Sequence, residues 1–212
     1  INTNLKAEKG WNKEIAWKGE SNDKSFNWDL TAYLFNLNET IVVRRAADGS
    51  DYFANVGETT QKGLELTTTW KAHKNLLVNN SLTWQDFRFT DYTTAGKTYN
   101  GNFLTGTSPF QNSVLAIYNH PSGFSWNQQY IFSDYLYLND ANTDQMPAYR
   151  IWNSKISYQK SNPKFGWELW FALENILNET YSLGPDLNAA VGRYYNAAPG
   201  RNFSVGLKIN TF

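Results

Sequence analysis

Apolar and polar residues alternate along most of this chain with a period of two, and convincing helical periodicity is absent. A period of two is typical of β-strands that have one apolar and one polar face. The clearest stretch puts Phe165, Trp167, Leu169, Phe171 and Leu173 on one side. The pattern predicts nine strands, at about 10–20, 25–38, 51–72, 75–91, 111–120, 124–134, 148–159, 164–178 and 201–212.

The connections between these predicted strands alternate between short and long. The short ones are about 21–24, 72–75, 121–123 and 160–163, and the long ones are about 39–50, 92–110, 135–147 and 180–199. Outer-membrane barrels have tight turns at one end and long loops at the other, whereas a soluble sandwich has no reason to sort its loops in this way. We therefore predict an all-β fold of antiparallel transmembrane β-barrel strands.

The composition agrees with this prediction and excludes some functions. The chain has 9 Trp, 13 Tyr and 13 Phe, yet its mean hydropathy is −0.57, and no run approaches the roughly 18 apolar residues of a membrane helix. The net charge is zero and no basic stripe is present, so nothing favours a nucleic-acid partner. There are no cysteines to form disulfides or thiolate metal sites. Composition alone leaves a soluble, Trp-rich carbohydrate-binding β domain open.

Several segments, in order along the chain, resemble the C-terminal part of a TonB-dependent outer-membrane receptor. They are Leu5–Glu8 with Glu14–Lys18, Asn55–Gly57 with Lys62–Glu65, Asn119–Pro121, Glu174–Tyr181, and Pro199–Arg201 with the terminal Phe212. Ala7 and Ala16 depart from the family pattern. The motifs are individually unspecific, and it is their ordered series that carries the resemblance.

The resemblance implies a barrel of about twenty-two strands with an N-terminal plug domain inside it. Residues 1–212 would then be the C-terminal portion of the barrel domain, with the plug and the earlier strands outside this chain. The chain opens at Ile1 without a methionine or a signal peptide, so we expect an internal or processed start. In this family the final Phe shares phase with the lipid-facing residues. Phe212 is one position out of phase, which predicts a bulge near Asn210–Thr211.

The sequence contains no convincing catalytic or metal-binding group. His73 and His120 lie in predicted turns without partners at metal-ligand spacing, so we interpret both as solvated turn residues. Glu168 and Glu174 share the polar side of the eighth strand, which favours a polar lumen wall over an acid–base pair. We predict a protein that is not an enzyme and has no cofactor.

Two groups in the long connections are candidates for ligand binding. Arg44 and Arg45 offer guanidinium groups, which bind carboxylates and catecholates through directed hydrogen bonds. Arg193, Tyr194 and Tyr195 place a cation beside two aromatic rings, a surface suited to an aromatic chelator or a sugar. Each of these residues also has a simpler interpretation, as a solvated arginine or a membrane-interface tyrosine.

The function implied by the resemblance is active uptake across the outer membrane of a Gram-negative bacterium. The receptor would bind a scarce ligand, a ferric siderophore by resemblance, and would contact the TonB complex through its plug. Outer-membrane lipid and the missing barrel strands would be its other partners. Two alternatives stay open, namely a passive porin or structural barrel, and the soluble carbohydrate-binding domain.

Overall fold

The computed structural model describes residues 4–46, 48–55, 57–94 and 96–211, and only the backbone of residues 44, 45 and 190. Nine long strands form one antiparallel sheet in which chain neighbours pair, as predicted. These strands are β1 (Lys9–Glu20), β2 (Phe26–Asn38), β5 (Glu58–His73), β6 (Leu76–Asp91), β9 (Phe110–Asn119), β10 (Phe124–Ser133), β13 (Tyr149–Ser161), β14 (Phe165–Glu174) and β15 (Asn202–Thr211). No helix within the described residues is both long and apolar enough to cross a membrane.

The remaining strands form small hairpins inside the long connections. They are β3 (Ile41–Arg45) with β4 (Asp51–Asn55), β7 (Thr93–Thr94) with β8 (Lys97–Thr98), and β11 (Leu136–Tyr137) with β12 (Gln145–Met146). A 3-10 turn, Ala190–Gly192, lies in the last connection. The first hairpin corrects the predicted third strand. Residues 51–55 pair back on 41–45, and the strand of the main sheet begins only at Glu58.

The cross-strand register places all the predicted apolar stripes on one side of the sheet. Directly paired residues point the same way, and Leu66 pairs with both Leu30 and Leu82, while Phe171 pairs with both Ile156 and Val205. We call this side the apolar face. Its members include Trp11, Ile15, Trp17, Trp28, Leu64, Trp70, Val78, Trp84, Trp126, Phe132, Trp167, Leu169, Phe203, Leu207 and Ile209.

The opposite side, which we call the polar face, carries Glu14, Thr31, Glu65, Ser81, Lys155, Glu168 and Lys208 among others. Glu168 pairs across the ladders with Lys208 and Gln159, and Glu174 pairs with Asn202. Both glutamates therefore lie on a polar wall, where the sequence places them.

The buried apolar residues lie mainly in the long connections and on the parts of the strands next to them. Phe89 and Tyr92 form one buried cluster, and Leu136, Leu138 and Met146 form another. By contrast, Trp11 is 81% exposed and Val205 is 66% exposed on the apolar face. Nothing within the described part of the chain covers this face, and a large uncovered apolar surface marks a site of contact with a membrane or another protein.

All four short turns lie at one end of the sheet and all four long connections at the other, as the sequence predicts. The short turns join β1–β2, β5–β6, β9–β10 and β13–β14. We call these two ends the short-turn end and the long-loop end.

Two predictions about strand ends are wrong. The eighth strand ends at Glu174 and not near 178, because Asn175 adopts a left-handed conformation (φ 49°) and its side chain bonds the backbone of Glu179. The β14–β15 ladder is regular through Thr211, which pairs with Phe165, so no bulge lies at Asn210–Thr211. Phe212 itself lies outside the described residues.

Glycines on both edge strands accommodate a tryptophan from the neighbouring strand. Gly206 of β15 pairs with Trp170 of β14, and a Cβ at Gly206 would overlap the indole ring. Gly19 of β1 has the same relation to Trp28 of β2. A large aromatic ring over a strand glycine compensates for the missing side chain and helps to fix the register.

Gly206→Val should therefore destabilise the protein. The added methyl groups must displace Trp170, and overpacking of this kind costs about 1–3 kcal/mol. The measurement is the guanidinium unfolding midpoint in detergent. Ser204→Val is the matched control, since it lies on the same strand and face opposite Ala172. Equal midpoints for the two variants would show that the Trp170–Gly206 contact is not structurally important.

Candidate functional site

Three long connections meet around the buried side chain of Asp140. The hydroxyl of Tyr92 donates a hydrogen bond to Oδ2 of Asp140 (2.9 Å), and Thr105 Oγ1 donates to Oδ1 (2.5 Å). From the last connection, Asn188 donates its Nδ2 to Oδ1 (3.1 Å) and accepts from the Asp140 amide (3.0 Å). Asp140 is 3% exposed. A single carboxylate thus ties connections 92–109, 134–148 and 175–201 together.

Further contacts make this assembly of connections a packed unit. The side chain of Asn142 accepts a hydrogen bond from the Phe103 amide and donates one to the Phe103 carbonyl. It therefore satisfies both backbone groups of Phe103, as a neighbouring β-strand would. Arg88 lies 4.0 Å above the Phe103 ring, which stacks on Tyr137 at 5.5 Å. The guanidinium also bonds Asp86 and the Gly101 carbonyl. These groups are already engaged, so we interpret them as structural.

The phenol of Tyr135 adjoins this stack, packing edge-on against Tyr137. Burial raises the pKa of Tyr135, and the nearby Tyr137 and Asp134 raise it further. The raised pKa keeps this phenol protonated, and hence a hydrogen-bond donor, to a higher pH than a solvated tyrosine.

The predicted pair Tyr194 and Tyr195 docks the last connection onto the one before it. Tyr194 packs against the cluster of Leu136, Leu138 and Met146, and its hydroxyl accepts a hydrogen bond from Asn139 (3.3 Å). The Tyr195 hydroxyl donates to the carbonyl of Gln145 (3.1 Å). Tyr195 stays 59% exposed, and Arg193 beside it is exposed.

A largely apolar pocket of about 350 Å³ lies between these two connections. Its lining comprises Met146, Pro147, Thr180, Tyr181, Ser182, Tyr195 and Ala197. Tyr181 stacks on Tyr149 at 5.0 Å, and Tyr149 lies on the polar face at the start of β13. One wall of the pocket therefore adjoins the polar side of the sheet. Pockets of this size, apolar with a few polar groups at the margin, are typical of small-molecule sites.

The structure separates the two predicted groups of ligand-binding residues. Arg44 and Arg45 pair with Tyr52 and Asp51 in the β3–β4 hairpin, and their side chains lie outside the described residues. Val42 of this hairpin packs on the Phe89–Tyr92 cluster. The second group lies instead on the last connection, where Tyr195 lines the pocket and Arg193 and Tyr194 do not.

The sequence did not single out Tyr181, Met146 or Asp140 as functional residues. Tyr181 is recognisable only as the end of a family-like motif, and Met146 and Asp140 carry no local signal. His73 and His120 each hydrogen-bond within their own turns, through the Asn75 amide and the Ser122 hydroxyl. Among the described residues, no group of three His, Asp or Glu could hold a metal ion.

The family model described as TonB dependent receptor-like, beta-barrel matches residues 1–176. The chain therefore belongs to the TonB-dependent receptor β-barrel family, whose members are transport receptors of Gram-negative outer membranes and not enzymes.

Among solved structures, the ferric-catecholate import receptor Fiu from E. coli K12 is similar over 100% of this chain (TM-score 0.73, 16% identity). The siderophore receptor PiuA from Acinetobacter baumannii is also similar over 100% (TM-score 0.75, 21% identity), and the copper transporter OprC over 99% (TM-score 0.73, 13% identity). The chain spans 29%, 30% and 32% of these proteins respectively. At such identities the likeness shows the fold alone.

Proposed function

We propose that this chain forms the C-terminal part of the barrel wall of an outer-membrane receptor that imports a scarce ligand. The apolar face would contact lipid and the polar face would line the lumen. The remaining strands and a plug domain would come from other parts of the receptor, and the plug would contact the TonB complex. The family membership and the sorting of short turns and long loops support this arrangement.

The observation that carries the proposal is the aromatic pocket at the long-loop end. In an outer-membrane barrel this end faces the outside of the cell, where a ligand first meets the receptor. Tyr181 and Tyr195 supply the aromatic surface of the pocket, and Arg193, an exposed residue two positions before Tyr195, would supply a positive charge on the same connection. Aromatic and guanidinium groups together suit a planar, anionic chelator.

A ferric siderophore is the ligand class that we propose. Fiu and PiuA, which the chain resembles in fold, are named as a ferric-catecholate import receptor and a siderophore receptor, whereas OprC is named as a copper transporter. Iron would be cargo and not a resident cofactor. The family membership argues against both the soluble carbohydrate-binding domain and the passive porin.

Replacing Tyr181 and Tyr195 by alanine should weaken binding of a ferric catecholate about tenfold, which is about 1.4 kcal/mol, because two aromatic walls of the pocket are lost. The measurement is a fluorescence titration of the whole receptor in detergent with the ferric complex of 2,3-dihydroxybenzoate. Tyr52→Ala is the control, an exposed tyrosine of the β3–β4 hairpin that does not line the pocket. A second titration with cupric ion tests the other cargo class.

Unchanged ferric-complex binding in the double variant would contradict the assignment of this pocket. Binding of cupric ion that depends on the same tyrosines, without binding of the ferric complex, would replace the siderophore by copper as the cargo.

A further inference from the structure

A cavity of about 440 Å³ lies at the short-turn end, far along the strands from the aromatic pocket. It is bounded by the β1–β2 turn, which includes Asp23 and Lys24, and by the β5–β6 turn, which includes His73 and Lys74. Lys71 of β5 and Ile117 of β9 line its inner wall. No sequence motif and no part of the proposed function accounts for this cavity.

The cavity opens on the polar face of the sheet. Lys71 pairs with Leu77 and Leu77 with Ile117, a row of polar-face positions that forms the wall. The ladder between β5 and β6 has a register shift between Lys71 and His73, and beyond this shift His73 pairs with Leu76. These two residues line the cavity at its outer edge. A ligand in this cavity would therefore be in contact with the lumen side and not with the lipid side.

Positive charge predominates around the cavity. Lys24, Lys71 and Lys74 line it with their exposed ammonium groups, and across the described ranges none of the three has an ion pair or a side-chain hydrogen bond. Three lysines around one cavity repel each other unless an anion lies between them.

Asp23, the carboxylate among the residues that line the cavity, offsets one of these three positive charges and is held within its own turn. Asp23 accepts hydrogen bonds from the Ser21 hydroxyl (2.6 Å) and from the Ser25 hydroxyl (2.8 Å) and amide (3.1 Å). The Ser21 hydrogen bond, followed by those of Ser25, lowers the pKa of Asp23 to about 2. Asp23 thus fixes the shape of the turn at neutral pH and leaves the lysines free to bind a ligand.

His73 adds a donor at the rim. Its Nδ1 accepts the Asn75 amide at 3.3 Å, which puts the proton of the neutral ring on Nε2. The cavity therefore combines three cations with an imidazole N–H donor, and the Lys71 amide, which donates to the Ser25 carbonyl (2.7 Å), links β5 to the β1–β2 turn.

We propose that this cavity binds a small molecule that carries two or more carboxylate or phosphate groups. Its volume is in the range of small-molecule sites, and its position on the polar face favours a soluble anion over a lipid headgroup. This inference rests on the proposed function for its role, since an anionic cargo leaving the lumen would meet this cluster last.

The test uses the whole receptor in detergent and two soluble probes, tricarballylate and pyrophosphate, titrated by calorimetry at low and high ionic strength. Wild type should bind at least one probe, and K24Q/K71Q/K74Q should bind it at least about tenfold more weakly. Because the lysines are exposed, salt should weaken wild-type binding strongly. Lys164→Gln is the matched control, an exposed lysine in another short turn that does not line the cavity.

Retention of binding by K24R/K71R/K74R would confirm that charge is the cause and would guard against a misfolded triple variant. Binding of only one probe would assign the anion to carboxylates or to phosphates. Failure of wild type to bind either probe, or equal binding by the glutamine variant, would overturn the proposal. These titrations contain no iron, so their outcome is independent of the ferric-complex titration at the aromatic pocket.

Discussion

Replacing Asp140 by alanine should loosen the whole assembly of long connections while leaving the sheet intact. The change leaves three donors without the carboxylate that accepts from them: the buried hydroxyl of Tyr92, the hydroxyl of Thr105 and the side-chain amide of Asn188. A buried donor left unpaired costs about 1–3 kcal/mol. Because the three donors come from two other connections, the loss falls on the contacts between connections and not on any one of them.

Hydrogen exchange of the whole receptor measures this effect directly. Two backbone amides should exchange about a hundredfold faster, equivalent to about 3 kcal/mol of lost local stability. One is the amide of Asn188, which donates to the Leu138 carbonyl, and the other is the amide of Asp140, which donates to the Asn188 side chain. Amides in the middle of β5 and β6 should be unaffected. Asp91→Ala is the control, an exposed aspartate at the end of β6. Unchanged exchange at the Asn188 amide would show that the connections pack independently of Asp140.

The largest effect on assembly is expected for a charge on the apolar face. Leu82 lies near the middle of β6 and pairs with Leu66. If this face contacts lipid, Leu82→Arg places a guanidinium near the bilayer midplane, at a cost of about 2–4 kcal/mol. We expect little folded receptor in the outer membrane, as measured by heat-modifiable migration on gels. The unfolding midpoint of the folded fraction should also be lower than that of wild type.

The neighbouring residue provides a control for this substitution. Ser81 lies on the polar face, where it pairs with the small residues Thr67 and Ser113. Ser81→Arg should fold close to wild-type levels because the arginine then faces polar neighbours. A Leu82→Arg variant that folds as well as Ser81→Arg would contradict the assignment of the apolar face to lipid.

The faces of the strands could be predicted because they depend on a local property. A period of two fixes which residues share a side, and the phase assigned to Leu66, Trp126, Phe171 and Val205 agrees across the ladders. The order of short and long connections could also be predicted, since Gly, Pro and Asn clusters mark turns locally.

The structural features that could not be predicted from the sequence depend on non-local contacts or on turn geometry. The aromatic residues Tyr52 and Phe53 are as typical of a strand as those that follow, so nothing local shows that residues 51–55 fold back on 41–45. Asp140 meets Tyr92 and Asn188, each 48 residues away along the chain. The lysines of the short-turn cavity likewise come from two turns that are distant in sequence.

The candidate ligand site could also be predicted only in part from the sequence. The sequence selected Tyr195 because it lies in the last long connection beside Arg193 and Tyr194, and the structure places it on the wall of a pocket. The other aromatic wall, Tyr181, is identified by its stacking on Tyr149. Tyr194 contributes by packing on Leu136 and Leu138, so its effect on a ligand would come through the shape of the connection.

The central claim about this receptor is that its apolar face contacts lipid and its polar face lines a lumen. The most direct measurement places single cysteines along β14, a strand of a chain that has none of its own, and attaches a fluorophore to each in the membrane-embedded receptor. The account predicts quenching by a lipid-soluble nitroxide at Leu169 and Phe171 and none at Glu168 and Ala172. Equal quenching at all four positions, or quenching only at Glu168 and Ala172, would contradict it.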